Sequence, residues 1–431
     1  MVKKSLHSPD TVSSHQRFLP WIVWGLGCLF YFYEFLLQVS PGVMSNELMR
    51  DFSVTGQALG MLSAVYFYSY AAMQLPGGVL MDYYGPHRLL TLATFVCAVS
   101  TIAFGLTESY LMACLARFMV GFGSAFAAVG AMKLAANWFP ASRFALLTGM
   151  MVTIGMLGAI GGETPLALLI DAVGWRRSMV WMGSAGLGLA LLIWLIAKDA
   201  PSARKVVQRA AGDPPLAASL LKLLSNTQLW LVAIYGGLMY LVTPVFCGLW
   251  GVQFLMFRMH IPKTAAAGAV SLVFVGWAIA APLWGAFSNH IGRRKPPLWI
   301  GNIGALICCL LFIYAPIESL FLIQCLLLFF GIFSAGFLPS FALAKELCDR
   351  RYVATGLSFM NMMNMLGIAL VQPLTGFVLD ALWTGEMLDG VRVYPLSAYH
   401  MALSLLPLGM MVSLLILPRI HETHCHQVEH S

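Results

Sequence analysis

Charged side chains are scarce in this sequence. Only 10% of its 431 residues are Asp, Glu, Lys or Arg, whereas 59% are hydrophobic. A water-soluble domain carries about 25% charged residues, so this chain has too little polar surface to coat a globule in water. The composition therefore excludes an ordinary soluble protein and favours a surface that faces lipid. The net charge of +7 does not indicate a nucleic-acid partner, because the basic residues are scattered between apolar runs.

Motifs for catalysis and nucleotide binding are also missing. The sequence contains no GxxxxGK[ST] phosphate loop, no GxSxG nucleophile elbow and no HExxH pair. An ATP-driven pump would need a separate nucleotide-binding partner, and we expect neither an enzyme nor a bound cofactor or metal. The nine cysteines form no CxxC pair and lie mostly in apolar runs, which is typical of small buried hydrophobic residues.

Apolar runs of about 20 residues dominate what is present, and they predict twelve membrane-spanning helices in an all-α integral membrane protein. Glycine and proline within these runs are no objection, because membrane helices contain both more often than soluble helices do. The predicted limits are 20–43, 56–80, 89–107, 110–133, 144–170, 178–197, 226–251, 265–288, 297–316, 318–342, 353–379 and 397–418.

The basic residues predict the orientation of these helices. With a cytoplasmic N-terminus, 18 of the 25 Lys and Arg residues fall on the cytoplasmic side. Basic residues concentrate on that side of multi-pass membrane proteins, so we expect both termini in the cytoplasm. The others are Arg117 within a helix and Arg50, Arg176, Arg177, Arg258, Lys263 and Arg392 on the opposite side.

The longest connection divides the chain into two groups of six helices. It covers 198–225 and contains the basic, Pro/Ala-rich stretch "KDAPSARKVVQRAAGDPP". The predicted organisation is therefore an N-terminal bundle over 1–197, a cytoplasmic linker, a C-terminal bundle over 226–420 and a tail over 421–431. The tail contains four His and one Cys, which could bind a transition metal, but we expect it to be disordered because it lacks a fixed scaffold.

A short repeat supports two similar bundles. "GGVLMDYYGPHRLL" at 77–90 follows the second helix, and "WGAFSNHIGRRKPPL" at 284–298 follows the eighth. Both stretches combine glycines, a central polar residue and a basic cluster at the same place in each half. Such a repeat predicts two bundles related by a pseudo-two-fold axis normal to the membrane.

These loops resemble those of the major facilitator superfamily, in which the loop after helix two reads G-x-L-x-D-x-x-G-x and then basic residues. The resemblance implies two six-helix bundles that rock about a central site, with the loop residues forming a cytoplasmic gate. The first copy consists of Gly78, Leu80, Asp82, Gly85 and Arg88, and the second of Gly285, Asn289, Gly292, Arg293 and Arg294. Because Asn289 replaces the acid, we expect the C-terminal latch to be weaker and to rely on hydrogen bonds.

Two further stretches carry the resemblance. "RFMVGFGSA" at 117–125 is similar to the family's helix four, and "GMLGAIGGETPLALLIDAVGWRR" at 155–177 is similar to its glycine-rich helix five. "YEFLLQVSPGVM" and "MKLAANWFPASR" also resemble a bacterial branch that is distantly similar to peptide and organic-anion carriers.

Three ionisable residues at similar depth form the candidate transport site: Glu34, Arg117 and Glu163. Charges inside a membrane are costly and tend to line ion or substrate pathways. An Arg flanked by two carboxylates could be compensated by both, so the alternative is a fixed ion pair that staples helices one, four and five.

Each of the three has a predicted role and an alternative. Glu34 is the predicted proton carrier, switched by the competition between burial and a nearby cation. Arg117 is an alternative anchor for an anionic substrate, because its planar fork matches a carboxylate. Glu163 is a less certain partner, whose carboxylate could instead turn to water near the outer face.

Polar residues on the same helix faces complete the candidate site. Asparagine, glutamine and aromatic side chains at helical spacing could bind a polar solute, although packing explains each tyrosine taken alone. Lys345 and Glu346 are interpreted as a solvated helix end or a local ion pair. In the N-terminal half the candidates are Tyr31, Gln38, Tyr66 and Tyr70, and in the C-terminal half they are Tyr235, Tyr240, Trp277, Asn361, Asn364 and Gln372.

The sequence and the resemblance together predict a proton-coupled secondary transporter of the bacterial inner membrane. Its expected substrate is a small anionic or zwitterionic solute, such as an amino acid, a short peptide or an organic acid. Two alternatives stay open: an uncoupled facilitator or an exporter of a larger amphipathic compound such as a siderophore or drug, and a substrate sensor without net flux. The expected partners are the solute, membrane lipid and protons, and the chain is expected to be a monomer.

Overall fold

The structure of the protein is a computed structural model, which describes residues 14–198, 224–348 and 353–427. Within them lie twelve long helices, in agreement with the twelve predicted from the apolar runs. They are α1 (Phe18–Phe52), α2 (Gly56–Tyr84), α3 (Pro86–Leu106), α4 (Tyr110–Trp138), α5 (Leu146–Val173), α6 (Trp175–Ile196), α7 (Thr227–Met259), α8 (Lys263–Ile291), α9 (Lys295–Tyr314), α10 (Leu320–Glu346), α11 (Val353–Ala381) and α12 (Leu396–Arg419).

Eleven of these helices are long and apolar enough to cross a membrane by length and composition alone. The remaining one is α2, whose 29 residues are sufficient in length. Its tyrosines and its two glutamines, Gln57 and Gln74, lower its hydropathy without shortening it. A short antiparallel hairpin of β1 (Met387–Leu388) and β2 (Val391–Arg392) joins α11 to α12.

The two ends of the described chain, at residues 14 and 427, lie on one face of the molecule, because an even number of helices returns the chain to the side on which it began. We call this the terminal face. The opposite face contains the α1–α2 connection and the β1–β2 hairpin, and we call it the distal face. Most of the predicted linker, residues 199–223, lies outside the described part of the chain.

Several helices are interrupted, and the breaks in α1, α5 and α7 bear on the candidate site. In α1 the turn Ser40–Met44 is a 3₁₀ helix that contains Pro41, and in α7 the segment Phe246–Trp250 is a π-helix that follows Pro244. Proline lacks the N–H that an uninterrupted helix needs, so irregular backbone near these positions is expected. In α5 the break falls at Gly162 and Glu163, between Phe144–Gly161 and Thr164–Val173.

Glycines at corresponding positions show the internal repeat in three dimensions. A Cβ atom at Gly121 of α4 would lie 2.1 Å from the carbonyl oxygen of Tyr66 in α2. A Cβ atom at Gly331 of α10 would lie 2.1 Å from the carbonyl oxygen of Val273 in α8. Helices four and two of the first half therefore approach each other as closely as helices four and two of the second half, and both contacts require glycine.

We expect G121A to lower the apparent melting temperature of the purified protein by about 5 °C, because the new methyl group must push α2 away from α4. Overpacking of this kind costs about 1–3 kcal/mol or more. G149A is the matched control, since no heavy atom lies within 4 Å of a Cβ at Gly149. Equal melting temperatures of the two variants in a detergent-based unfolding assay would contradict the close α2–α4 contact.

The two halves meet most closely toward the distal face. Gly60 of α2 packs against the backbone of Gln372 in α11, and Gly42 in the 3₁₀ turn of α1 packs against the backbone of Cys247 in α7. On the terminal side, a Cβ at Gly78 of α2 or at Gly285 of α8 would meet no heavy atom within 4 Å. The described conformation is therefore closed at the distal face.

Candidate functional site

Glu34 lies in the middle of α1 and is almost completely buried, with 2% of its surface exposed. One of its carboxylate oxygens accepts a hydrogen bond of 2.8 Å from the hydroxyl group of Tyr66 in α2. The other oxygen has no hydrogen-bond partner within the described chain. Glu34 is thus held in place by one neighbour and keeps one oxygen for a further donor.

Arg117 of α4 is also 2% exposed, and its position follows from Pro41. The carbonyl group of Leu37 would bond to the N–H of residue 41 in a regular helix, but proline has none. Nη1 of Arg117 donates a hydrogen bond of 2.8 Å to this carbonyl group, and the Ser40 hydroxyl donates to it as well. The break in α1 therefore creates the acceptor that orients Arg117.

The remaining edge of the Arg117 guanidinium is unused. Among the described residues, neither Nε nor Nη2 has a hydrogen-bond partner, although both atoms are buried. The N–H groups of these two nitrogens point in the same direction and match the two oxygens of a carboxylate. A buried donor without a partner costs free energy, so this edge is a strong candidate for an anion-binding position.

Glu34 and Arg117 both contact Tyr66, at its hydroxyl group and its ring, respectively. The Tyr66 hydroxyl group bonds to Glu34, and the Arg117 guanidinium lies over the Tyr66 ring at 5.0 Å from its centroid. The expected ion pair between Glu34 and Arg117 is absent, because Nη1 is used by Leu37 and the other nitrogens have no partner. Tyr66 is thus the residue that the two charged side chains share.

Glu163 is not brought to this pair. It lies at the break in α5, is 0% exposed, and has no hydrogen-bond partner for either carboxylate oxygen among the described residues. The neighbouring Gly162 packs against Leu36 and Val39 of α1, and Thr164 lies 3.3 Å from Ser271 of α8, hydroxyl to hydroxyl. The alternative that Glu163 turns to water near the outer face is wrong for this conformation, because the closed distal contacts cover it.

Other candidate tyrosines gather around Glu34. The hydroxyl groups of Tyr31, Tyr70 and Tyr240 all lie within electrostatic range of its carboxylate. Tyr70 also packs beside Tyr66, with ring centroids 6.0 Å apart. Since Tyr240 belongs to α7, the environment of Glu34 is built from both halves of the molecule.

A narrow cleft between the halves adjoins this group of residues. Its volume is about 20 Å³, which is little more than the space of one water molecule, so a bound solute requires the halves to move apart. Trp277 contributes its ring to the cleft and donates its indole N–H to Ser334. The lining residues are Phe35, Gln38, Val39, Met156, Tyr240, Thr243, Pro244, Phe274 and Trp277.

The remaining candidates of the C-terminal half do not line the cleft. Tyr235 donates its hydroxyl group to the carbonyl oxygen of Leu298 and thereby ties α7 to α9. Gln372 donates to the carbonyl oxygen of Pro244 next to the π-helix of α7. Asn364 is 1% exposed with no partner for Oδ1 among the described atoms, whereas Asn361 is half-buried on the same helix.

The predicted gate of the N-terminal half forms a salt bridge within that half. Asp82 pairs with Lys133 of α4 at 2.5 Å, and Arg88 does not take part. Arg88 instead lines a groove between α3 and α6 together with Trp194. Gly85 has φ +81°, which explains the need for glycine at the end of α2, while Gly78 faces open space.

The corresponding gate of the C-terminal half also contains a salt bridge, but here the loop supplies the basic residue and the fourth helix of the half supplies the acid. Arg294 is buried and forms a salt bridge of 2.6 Å with Glu346 at the end of α10, while Asn289 accepts a hydrogen bond of 2.7 Å from the same guanidinium. Gly292 has φ +64°, and Arg293 is exposed. The prediction that this latch relies on hydrogen bonds alone is wrong. Of the two roles expected for Glu346, a solvated helix end or an ion pair, the structure shows the ion pair, with Arg294 as the partner.

The tail stabilises the same cluster. Glu422 accepts hydrogen bonds from the backbone N–H groups of Arg294 and Lys295 at 2.8 and 2.9 Å, so it caps the beginning of α9. The Thr423 hydroxyl donates to Glu346, and Gln427 donates to the carbonyl oxygen of Cys348. The expectation of a disordered tail is therefore wrong for residues 421–427, and residues 428–431 lie outside the described chain.

We expect E422Q to lower the melting temperature by about 2 °C at pH 7, because it removes a charged helix cap. Partial burial raises the pKa of Glu422, but the backbone donors outweigh burial and hold the pKa below its usual value. The stabilisation is thus present above the unfolded-state pKa and is lost as the pH falls through the lower folded-state pKa. The melting temperatures of E422Q and the unsubstituted protein should converge once the pH falls below the lowered folded-state pKa of Glu422, and a constant difference would contradict this cap.

Sequence reasoning missed two polar clusters that hold the distal face closed. Lys263 of α8 binds Glu47 and Asp171 of the N-terminal half, both at 2.7 Å. Asp380 of α11 accepts hydrogen bonds from the backbone N–H groups of Gly56 and Gln57 at the beginning of α2. All of these residues stand near helix ends, where a charge in the sequence is normally explained by solvent.

A sequence model of the Major Facilitator Superfamily matches residues 23–371 and 245–426, so the matches together extend over nearly the whole chain. Solved structures share the architecture. A bacterial homologue of the human lysosomal transporter Spinster, in an inward-facing and unoccupied conformation, has a TM-score of 0.73 with 17% identity over 93% of this chain and 95% of that one. The nucleoside transporter NupG has a TM-score of 0.71 with 13% identity over 91% of this chain and 99% of that one.

Similar sequences include carriers of small organic solutes. "Probable sulfoacetate transporter SauU" of Cupriavidus necator is 29% identical over 182 residues, which are 42% of each chain. "Lysosomal dipeptide transporter MFSD1" of Homo sapiens is 22% identical over 83% of this chain and 79% of that one. "Probable galactarate/D-glucarate transporter GarP" of Escherichia coli K12 is 23% identical over 43% and 40%, respectively. The aligned part thus spans less than half the length of SauU and of GarP.

Proposed function

The chain belongs to the major facilitator superfamily, and we propose that it carries a small anionic or zwitterionic solute across the bacterial inner membrane by alternating access. Both termini face the cytoplasm in this proposal, so the described conformation is closed to the outside. The observation that carries the proposal is the unused edge of Arg117, where Nε and Nη2 lie buried without a partner. A carboxylate or sulfonate group of the solute binds there.

Glu34 supplies the complementary chemistry. Its free oxygen accepts a hydrogen bond from a solute ammonium group, or it carries a proton when the solute has no ammonium group. Tyr66 links the two positions, since its hydroxyl group bonds to Glu34 while its ring faces Arg117. Transport is coupled to protons in this proposal, and the protein works as a monomer surrounded by membrane lipid.

The similar proteins support the solute class through their names. Sulfoacetate, dipeptides and glucarate all present a carboxylate group, and sulfoacetate adds a sulfonate. Each of these groups can accept two parallel N–H donors from one arginine edge. We take these three compounds as the first probes, with alanyl-alanine as the dipeptide.

The test is uptake into proteoliposomes that contain the purified protein. We expect at least one probe to accumulate inside above the external concentration when an inwardly directed proton gradient is imposed, and to equilibrate without exceeding it when the gradient is absent. Equilibration under both conditions would indicate an uncoupled facilitator. Ligand-induced thermal stabilisation with no flux under either condition would indicate a sensor and overturn the proposal.

A further inference from the structure

Glu163 is a buried acid that the proposed binding site does not use. Both of its carboxylate oxygens lack a hydrogen-bond partner in the described chain, and its surface is 0% exposed. An ionised carboxylate in such surroundings costs several kcal/mol, whereas the neutral acid costs far less. A side chain held in this way carries a proton in the described conformation.

The surroundings of Glu163 are the parts of the molecule that close the distal face. Its backbone is non-helical, with φ −100° and ψ −102°, at the break between the two segments of α5. Gly162 beside it packs against α1, directly below the 3₁₀ turn that touches the π-helix of α7. Thr164 on its other side reaches Ser271 of α8. Glu163 therefore stands where α1, α7 and α8 converge.

Few titratable groups face this position. The thiol group of Cys247 in the π-helix of α7 lies within electrostatic range of Glu163. On α8, the charged residue at the distal end is Lys263, and it already forms salt bridges with Glu47 and Asp171. From α1 the contacts of Gly162 are the apolar side chains Leu36 and Val39. No cation in these contacts is available to compensate an ionised Glu163.

We propose that Glu163 is a proton-binding site whose occupancy closes the distal face. Opening that face separates α1, α7 and α8 and admits water, in which the carboxylate ionises readily. Because the closed state binds the proton and the open state releases it, linkage requires that low pH favour closure and high pH favour opening. The proposal deepens the proton coupling proposed above and rests on alternating access.

Cys247 provides a reporter for the test, because it is 0% exposed at the closed contact. In a variant in which the other eight cysteines are replaced, a membrane-impermeant maleimide is applied to the distal face of oriented proteoliposomes between pH 5.5 and pH 8.5. The rate of Cys247 modification is measured for this single-cysteine protein, for its E163Q variant and for its E108Q variant. E108Q is the control, because it changes an exposed acid in the α3–α4 loop. The ratio of rates removes the part of the thiol titration that does not depend on residue 163. A carboxylate beside the thiol disfavours the reactive thiolate, so the direct effect of Glu163 on Cys247 would lower the rate at high pH and cannot imitate the rise expected from opening.

With Glu163 present, we expect the modification rate relative to E163Q to rise about tenfold from pH 5.5 to pH 8.5, because glutamine imitates the protonated acid. E108Q should follow the unsubstituted residue, and E163D, which keeps a titratable acid, should retain the pH dependence if E163Q folds poorly. A ratio that is constant with pH, or an E108Q variant that loses the dependence, would overturn the inference. No solute is added, so this result does not depend on the identity of the proposed substrate.

Discussion

R117K is expected to reduce uptake of a carboxylate solute by about 100-fold, although it preserves the positive charge. Lysine cannot bond to the Leu37 carbonyl group and at the same time present two parallel N–H groups to an anion. Hydrogen bonds to charged groups contribute about 1.5–3 kcal/mol, and a loss of 2.7 kcal/mol corresponds to a factor of about 100. The effect should fall on affinity, so thermal stabilisation by sulfoacetate, glucarate or alanyl-alanine should disappear together with uptake.

R258K is the control for the general cost of changing a membrane arginine. Arg258 of α7 donates to the carbonyl groups of Phe312, Ile313 and Ala315. Both of its Nη atoms therefore have hydrogen-bond partners within the C-terminal half. We expect R258K to lower the melting temperature without abolishing solute-induced stabilisation. The anion site at Arg117 would be refuted if R117K bound the probes normally, or if R258K and R117K lost binding to the same extent.

The apolar runs were sufficient to predict the twelve helices, because a membrane helix needs about 20 apolar residues and internal backbone hydrogen bonds. Their ends were less well predicted. The first helix was expected to end at residue 43, but α1 continues to Phe52 because Pro41 produces a 3₁₀ turn rather than a stop. A proline in the sequence predicts a disturbed helix without fixing how the disturbance is accommodated.

The sequence did not determine which of the three candidate charged residues contact one another. Counting residues along a helix gives the height of Glu34, Arg117 and Glu163 in the membrane, and this grouped all three. Which side of the helix faces which neighbour depends on packing, and the break at Gly162 directs Glu163 toward α7 and α8. The Tyr66 contact joins the other two because α2 and α4 meet closely at Gly121.

Charges near helix ends were the least predictable. Glu346 was expected to be either solvated or in an ion pair, and the sequence did not indicate that its partner would be Arg294 of the α8–α9 loop. In the first half the acid, Asp82, is near the end of α2 and the base, Lys133, is on α4. In the second half the base, Arg294, is in the α8–α9 loop and the acid, Glu346, is on α10. Both halves thus have a salt bridge near this loop with the signs exchanged, so the absence of an acid at Asn289 does not leave the second latch without charge.

D380N is expected to open the distal face about 30-fold to 100-fold more often than in the unsubstituted protein. The Asp380 carboxylate receives hydrogen bonds from Gly56 and Gln57 of the other half, and from Tyr394 and Arg392 beside it. In asparagine an NH₂ group replaces one of the two carboxylate oxygens, so this position can no longer accept the hydrogen bonds that the neighbouring groups donate to Asp380. The loss of about 2–2.7 kcal/mol applies only to the closed state, because Gly56 and Gln57 are out of reach once the halves separate.

Spin labels at E108C and E318C, in a background without native cysteines, measure this opening from the exposed distal loops of the two halves. D380N should enrich the longer distances, whereas D389N, an exposed acid in the same connection, should leave the distribution unchanged. An unchanged distribution for D380N would show that the apolar contacts alone close the face.

D380N should also affect the solute site, because α2 contains both the residues that bond to Asp380 and Tyr66, which bonds to Glu34. Asp380 caps α2 at Gly56, and Tyr66 lies ten residues further along the same helix, about 15 Å away. If α2 moves as a rigid rod when the cap is released, the Tyr66 hydroxyl group leaves Glu34 and the ring leaves Arg117. The distal latch would then be coupled to the solute position through one helix, and D380N should weaken solute-induced stabilisation even though Asp380 touches no solute.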